Sequence, residues 1–594
     1  MNSSFVQADI TEEVTANKTD PVTLTDNTNY NVATGGDYTF SGAISGNYWL
    51  NKTGPGTLTL GAVNANSGTT ISGGILKTNH LTDLGGAITI NGGQLNVTNT
   101  STSANKIKDV SFGTEGGTLY SEKQLRMDKI DKGTPFVINV AANAQPSYYK
   151  NSGGTGAFWL YGKQWTLNVG ENSTFTSNAY LTGGGRLNKN GAGRVEIKDC
   201  LIENLTYAIY ANQGSVLFAP TRDTGGGDGE ADTPEGISGI VLNGGATLEV
   251  VGLQKLTSRT DDVFAQWQKG IKYEAGGGTL DTKPHIPTAT THAELLAAGG
   301  GNFRLRTWNA NSAKDATIEV VDNAAESVFQ GNLNVYGATA TFNIGTNSNL
   351  DCSAEIWGAG AIVKTGAGTL TLSGVNDEYT GSVTVNAGAI IATNANALGT
   401  GPVINNTELV FDIASGSGLL NQAITGAGSI FKRGLGTLQA LNNTEGAFSA
   451  SAFAVDAGRL DFQGYYTGAL EINADGTFSP GNSVGTANVD GTSTFDPDSI
   501  MLMEIDDSGM DLLNTTSIAI SAGSLIDILA INGYDIQPEE SHMIINSENA
   551  LPEVDWNSLL TPTSSNLWSL SVLGNQVWAT AGGAPPESVP EPST

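Results

Sequence analysis

Gly481-Asn482-Ser483-Val484-Gly485 fits G-x-S-x-G, the pattern that in hydrolases holds a serine nucleophile at a sharp strand-to-helix turn. Such a serine needs a helix after it and a later Asp and His. Here Ser479-Pro480 precede the phrase, a strand-like acidic stretch follows it, and His542 is the one later histidine. The phrase therefore reads as a turn. Histidine is scarce throughout: His80, His285, His292 and His542. His285 and His292 flank Pro287 and miss the i, i+4 spacing that aims two imidazoles at one zinc ion. Cys200 and Cys352 are too few for a Cys-rich zinc site or a disulfide scaffold; they read as two small buried apolar residues or as one bridge.

Carboxylates are the other chemical resource. Asp223, Asp228, Glu230 and Asp232 fall in a glycine-rich loop whose oxygens would suit Ca²⁺. Their order lacks the D-x-[DN]-x-[DN]-G-x₅-E spacing, and acidic glycine loops are ordinarily solvated. The preceding Asp199–Tyr210 resembles coils of β-helical polysaccharide lyases and glycoside hydrolases, which work with paired carboxylates or a Ca²⁺-bound carboxylate. No catalytic set is assigned, and no cofactor beyond this calcium is expected. Arg304, Arg306 and Trp308 alternate along Phe303–Trp308, so they share one side of a strand. That side either contacts a glycan or covers the underside of a neighbouring segment.

The elements that must carry these residues are legible in the texture of the chain. Of 594 residues only 28 are Lys or Arg against 58 Asp or Glu, a net charge of -30. So few cations cannot neutralise a phosphate backbone, which excludes nucleic acid as a partner. Charged residues reach 14%, well below the ~25% of ordinary domains, while Gly numbers 77. Runs such as Thr57-Leu58-Thr59-Leu60 alternate apolar and polar residues, the period of half-buried strands, and glycine pairs punctuate them throughout. Helical spacing is confined to Asp261–Tyr273 and His292–Ala298.

One phrase occurs four times: GNYWLNKTGPGTLTL from Gly46, GGGRLNKNGAGRVEI from Gly183, GAGAIVKTGAGTLTL from Gly358 and GAGSIFKRGLGTLQA from Gly426. Each holds an apolar position, a lysine, a Gly-x-Gly turn and a second alternating strand. Lys52, Lys189, Lys364 and Lys432 thus recur at one point of a repeat. They are expected at equivalent places on stacked turns, as solvated edge charges facing carboxylates or as a row of ligand contacts. A sequel follows: Ser67–Val97 matches Thr380–Phe411, and a weaker copy surrounds Phe453–Leu460.

These blocks resemble the autotransporter-associated β-strand repeat of bacterial surface proteins. Ala474–Ile528, with its SPGNSVGT phrase and Asp511-Leu512-Leu513, resembles the segment that follows such repeats. The resemblance implies a right-handed parallel β-helix. An all-β solenoid is also what the alternating runs and glycine turns call for. Val589-Pro590-Glu591-Pro592 resembles the opening of a PEP-CTERM sorting signal, which implies a bacterial protein routed to the surface or an extracellular matrix.

The expected organisation is β-helix over 1–252, an insertion with short helices over 253–301, β-helix over 302–472, a β-rich C-terminal cap over 473–582 and a Pro-rich linker over 583–594. Met1–Ser4 shows neither the basic region nor the apolar core of a signal peptide, so export would use one absent from this sequence. The expected function is a non-enzymatic extracellular or outer-surface solenoid: spacer, adhesin or fibre and matrix subunit. Its partners would be extracellular polysaccharide, matrix components or further copies of itself, with membrane contact only through a missing C-terminal segment. A polysaccharide lyase or glycosidase, and a carbohydrate-binding protein without turnover, are the alternatives.

Overall fold

The computed structural model describes residues 9–98, 109–121, 125–126, 136–151, 158–159, 163–178, 181–182, 185–203, 207–221, 237–251, 255–256, 270–283, 304–305, 316–335, 339–442 and 444–582. Two compact units divide the chain, Met1–Asn334 and Val335–Thr594. Both are β-solenoids of stacked parallel coils, with almost no helix among the described residues.

In the first unit one ladder climbs from Ile44–Thr53 through Ala65–Ile71 and Ala87–Ile90 to Gly270–Tyr273 and Ala316–Val320. A second climbs from Asp37–Phe40 through Thr57–Leu60, Ile75–Thr78 and Gln94–Val97 to Gly278–Lys283. Alternation fixes which residues turn inward. Leu58, Leu76, Leu95 and Leu119 are successive partners and fully buried, as are Phe175, Val195, Val216, Leu248 and Leu280. Each such side chain contributes about 1.5–3 kcal/mol, so the thin core is held by many equal increments.

Part of the segment expected as a helical insertion belongs to these ladders. Gly270–Tyr273 and Gly278–Lys283 are rungs, with Ile271, Tyr273 and Leu280 buried. In Gly-Ile-Lys-Tyr the period of two prevails over the helical spacing, because Ile271 and Tyr273 stack between inward residues of adjacent coils. Apart from Lys255–Leu256 and the turn at residues 274–277, the rest of residues 253–301 lies outside the described residues.

The second unit repeats the scheme. Asn349–Cys352, Thr369–Leu372, Ala389–Ala392, Glu408–Asp412 and Ser429–Arg433 form one parallel series. Past residue 473 the coils continue: Gly458–Ile472 pairs with Thr486–Phe495, then Leu512–Ile520, then Ser541–Ser547. Direction then reverses. Gln576–Ala581 lies antiparallel on Ser541–Ser547, and Trp568–Leu573 lies antiparallel on Gln576–Ala581.

The exposed edges here are blunted by side chains. The Asn557 amide accepts from the Leu570 N–H at 2.8 Å and donates to the Leu570 carbonyl at 2.9 Å, standing in for one residue of a further strand. On Leu525–Ala530 the Thr561 N–H reaches the Ile526 carbonyl at 3.0 Å, and the Ile528 N–H reaches Ser564 Oγ at 2.8 Å. Free strand edges template association, so these substitutes keep the end closed. Asn557→Leu is expected to raise the oligomeric state above that of the parent, since the Leu570 edge would open beside exposed Val572 and Leu573. Light scattering on a sizing column checks this, and a mass equal to the parent's would count against the capping role.

Candidate functional site

The four repeated lysines define the most regular polar arrangement in the molecule. Each follows an inward apolar residue by two positions: Leu50 before Lys52, Leu187 before Lys189, Ile362 before Lys364, Ile430 before Lys432. The pleat therefore turns the lysine inward as well. All four are fully buried, which corrects the expectation of solvated edge charges.

Lys52 Nζ donates to the carbonyls of Thr53, Gly54 and Gly73 at 2.7, 2.8 and 3.1 Å. Lys189 does so to Asn190, Gly191 and Gln213 at 3.0, 2.6 and 3.0 Å. Lys364 reaches Thr365, Gly366 and Ala387 at 2.8, 2.8 and 3.0 Å. Lys432 reaches Arg433, Gly434 and Ala457 at 2.7, 2.7 and 3.1 Å. Three donors meet three acceptors, the full capacity of an ammonium group. Two acceptors lie in the lysine's own turn and the third in the turn of the next coil, so each side chain is a clasp between neighbours.

The glycines follow from this geometry. Gly388 has φ +67°, and a Cβ there would sit 2.2 Å from the Gly368 carbonyl oxygen and 2.6 Å from that of Gly366. Gly74, Gly214 and Gly458 repeat the contact in the other clasps. Burial pushes all four ammonium groups down to about 8, while the carbonyl contacts act in the opposite sense and favour the charged form.

The G-x-S-x-G phrase is also consumed by the coils. Asp511, fully buried, accepts the Gly485 N–H at 2.7 Å, the Glu504 N–H at 2.8 Å and the Ser479 hydroxyl at 3.4 Å. Burial, helped by Glu504, pushes its carboxyl up to about 8 against those donors. Arg459 pairs with Asp461 and, at 3.0 Å, with Glu504; Gln439 binds Asn482 at the loop's tip. Among the described residues no imidazole hydrogen-bonds Ser483. The loop is a tethered turn, without the base a serine nucleophile requires.

Asparagines form a third repeated feature, one the sequence reading did not register. Asn168 binds Asn139, Asn190 binds Asn168 and Asn212 binds Asn190, each amide pair at 2.8 Å. In the second unit Asn488, Asn514, Asn546 and Gln576 form a like series at 2.8, 3.1 and 3.3 Å. The signal was present as Asn at coil spacing just after inward positions.

Most other residues singled out in the sequence fall outside the described residues. Asp223, Asp228, Glu230, Asp232, Arg306 and Trp308 lie outside the described residues; Arg304 is placed in the strand Arg304–Leu305, its side chain undescribed. Cys352 is a buried free thiol, pushed up to about 12 by burial, and Cys200 is placed only by its backbone. Among the described residues no three His, Cys, Asp or Glu side chains converge on a point that could hold a metal ion. None of the described helices is long and apolar enough to cross a membrane.

Comparison with known proteins agrees with the repeat. Residues 50–77 and 362–392 match the family described as Passenger-associated-transport-repeat, and each match contains a clasp lysine with its third acceptor. The chain is similar to a protein of Brucella suis biovar 1 (strain 1330) named Adhesin BmaC autotransporter, 24% identical over 367 residues. That alignment covers 58% of this chain and 10% of the relative. The chain is passenger-like in its repeats.

Proposed function

We infer that the chain is a non-enzymatic surface or extracellular solenoid of the adhesin type, whose coils present outward side chains to a partner. The observation that carries this reading is where the chemistry went. The four lysines and the G-x-S-x-G turn, two of the arrangements in the sequence that could have made a working site, are spent on holding coils together. A stack so fastened displays many outward residues on a stiff support, which suits multivalent attachment. The match to a relative named as an adhesin supports the same reading. A polymerising fibre subunit fits less well, because the Asn557 and Thr561–Ser564 substitutes close the edges such growth would use.

Extracellular polysaccharide or matrix components are the proposed partners. The PEP-CTERM-like Val589–Pro592 phrase supports a surface route. Beads coated with the protein should attach to matrix-coated or epithelial surfaces above albumin-coated beads. Equal attachment would overturn the adhesin reading, and release of reducing ends or unsaturated products from polysaccharide would replace it with the enzymatic one.

A further inference from the structure

The first unit carries one exposed aromatic ring in an unusual setting. In the strand Ile44–Thr53 the register slips between Gly46 and Trp49, so this strand bulges outward. Trp49 follows the bulge and faces away from the core, opposite Leu50, which is fully buried. Its coil partner is Gly68. A Cβ on Gly68 would lie 2.6, 2.7 and 2.7 Å from Cζ3, Cε3 and Cη2 of the indole. Three ring atoms nearly equidistant from one point mean that the ring lies face-on over the glycine. One face is thus spent on the backbone, and at 37% exposure the opposite face looks into solvent. The Trp49 N–H donates to Asn27 Oδ1 at 3.0 Å, which fixes the backbone that holds the ring.

The surroundings are polar and, up to Asp109 on the coil beyond Ala87, uncharged. Beyond Gly68 the next partner is Ala87, too small to stand above the sheet. Alongside runs an outward row of Asn29, Asn51, Thr70 and Thr89 on successive coils. Among the described residues neither the indole N–H nor the hydroxyls of Thr70 and Thr89 have a hydrogen-bond partner. Adjacent coils are ~4.8 Å apart, about the width of one pyranose ring. A flat π face next to a shelf with free donors and acceptors, and no wall, matches the two surfaces of a sugar: a C–H face for the ring and a hydroxyl edge for the row. A protein partner would seek a larger apolar patch than one indole, and an anionic glycan would seek cations that this row lacks.

We propose that Trp49, with Thr70 and Thr89, forms a binding platform for a neutral glycan, its chain running across the coils. This rests on the adhesin reading and gives it a ligand class. The test uses the full chain and four hexasaccharides in calorimetric titrations: cellohexaose, maltohexaose, mannohexaose and, as the acidic comparator, oligogalacturonate. At least one neutral hexaose should bind, more tightly than the acidic one. Trp49→Ala should weaken that binding at least tenfold, Trp49→Phe less, and Gly68→Val, which tips the ring off its seat, as much as Trp49→Ala. Thr70→Ala, which leaves the ring untouched, should weaken binding severalfold and guards against loss of fold in the Trp49 variants. No binding by any neutral hexaose, tighter binding of the acidic one, or Trp49→Ala binding like the parent with an unchanged melting curve would each overturn the platform. Bead attachment that survives such a result would leave the adhesin reading standing. Loss of attachment with hexaose binding intact would remove that reading and keep the platform.

Discussion

Lys364→Met should loosen the second unit by about 2–4 kcal/mol. Methionine fills nearly the same volume, so the change isolates the ammonium group. Without it the carbonyls of Gly366 and Ala387 lose their donor in a buried turn, and an unsatisfied buried acceptor costs ~1–3 kcal/mol. Relief from burying a charge offsets part of this. A solvated surface lysine would change stability by ~0.5 kcal/mol or less. Arginine should not rescue the site, because its planar fork cannot aim three donors from one nitrogen. Since coils unfold locally, hydrogen exchange across residues 362–392 is the suitable measurement. Unchanged protection there would remove the clasp from the account of stability.

Asp511→Ala should cost a similar amount, about 2–4 kcal/mol, by stranding the Gly485 and Glu504 N–H groups. Asp511→Asn should also be unfavourable, because its amide must turn an NH₂ toward one of two N–H donors. The pH dependence has a definite sign. The folded carboxyl titrates near 8, far above an unfolded aspartate at ~3.9. Between those values the folded chain binds the extra proton, so stability from this group is complete below pH ~4 and lost as pH rises through 8. Local exchange around residues 479–511 should therefore quicken from pH 5 to 9, after correction for intrinsic rates, in the parent but not in Asp511→Asn. A flat difference between the two would overturn the assignment.

Much of the fold could be read from sequence because a solenoid repeats its own rules. Alternation in Thr57–Leu60 and Thr369–Leu372 states which side faces the core, and Gly-x-Gly states where the chain turns. The lysines were located correctly in the repeat but placed on the wrong side of the wall. Charge type argued for solvent, whereas parity with Leu50 or Ile362 argued for the interior, and the pleat decides. What hides the clasp from a linear reading is that its third acceptor sits in another coil, as with Lys189 and Gln213. The Gly485–Asp511 tether is concealed for the same reason, its halves being separated by a whole strand pair. Trp49 gave no signal because its seat is a glycine one coil away, recognisable only once the register is known.

The asparagine series has a polarity. In each unit the amide-to-amide rungs, as from Asn212 to Asn190 in the first and from Gln576 to Asn546 in the second, point their N–H toward the lower-numbered coil. Amide dipoles so aligned add within each series, giving it a donor-rich beginning and an acceptor-rich finish. An acceptor left open at the finish would invite the next donor that came by. In the second unit the last carbonyl oxygen of the series, Gln576 Oε1, takes the Trp578 indole N–H at 3.3 Å. Indole gives one hydrogen and accepts none. A side chain of that kind ends a one-way relay in a way that another asparagine or glutamine could not, so the row is grammatically complete at Trp578.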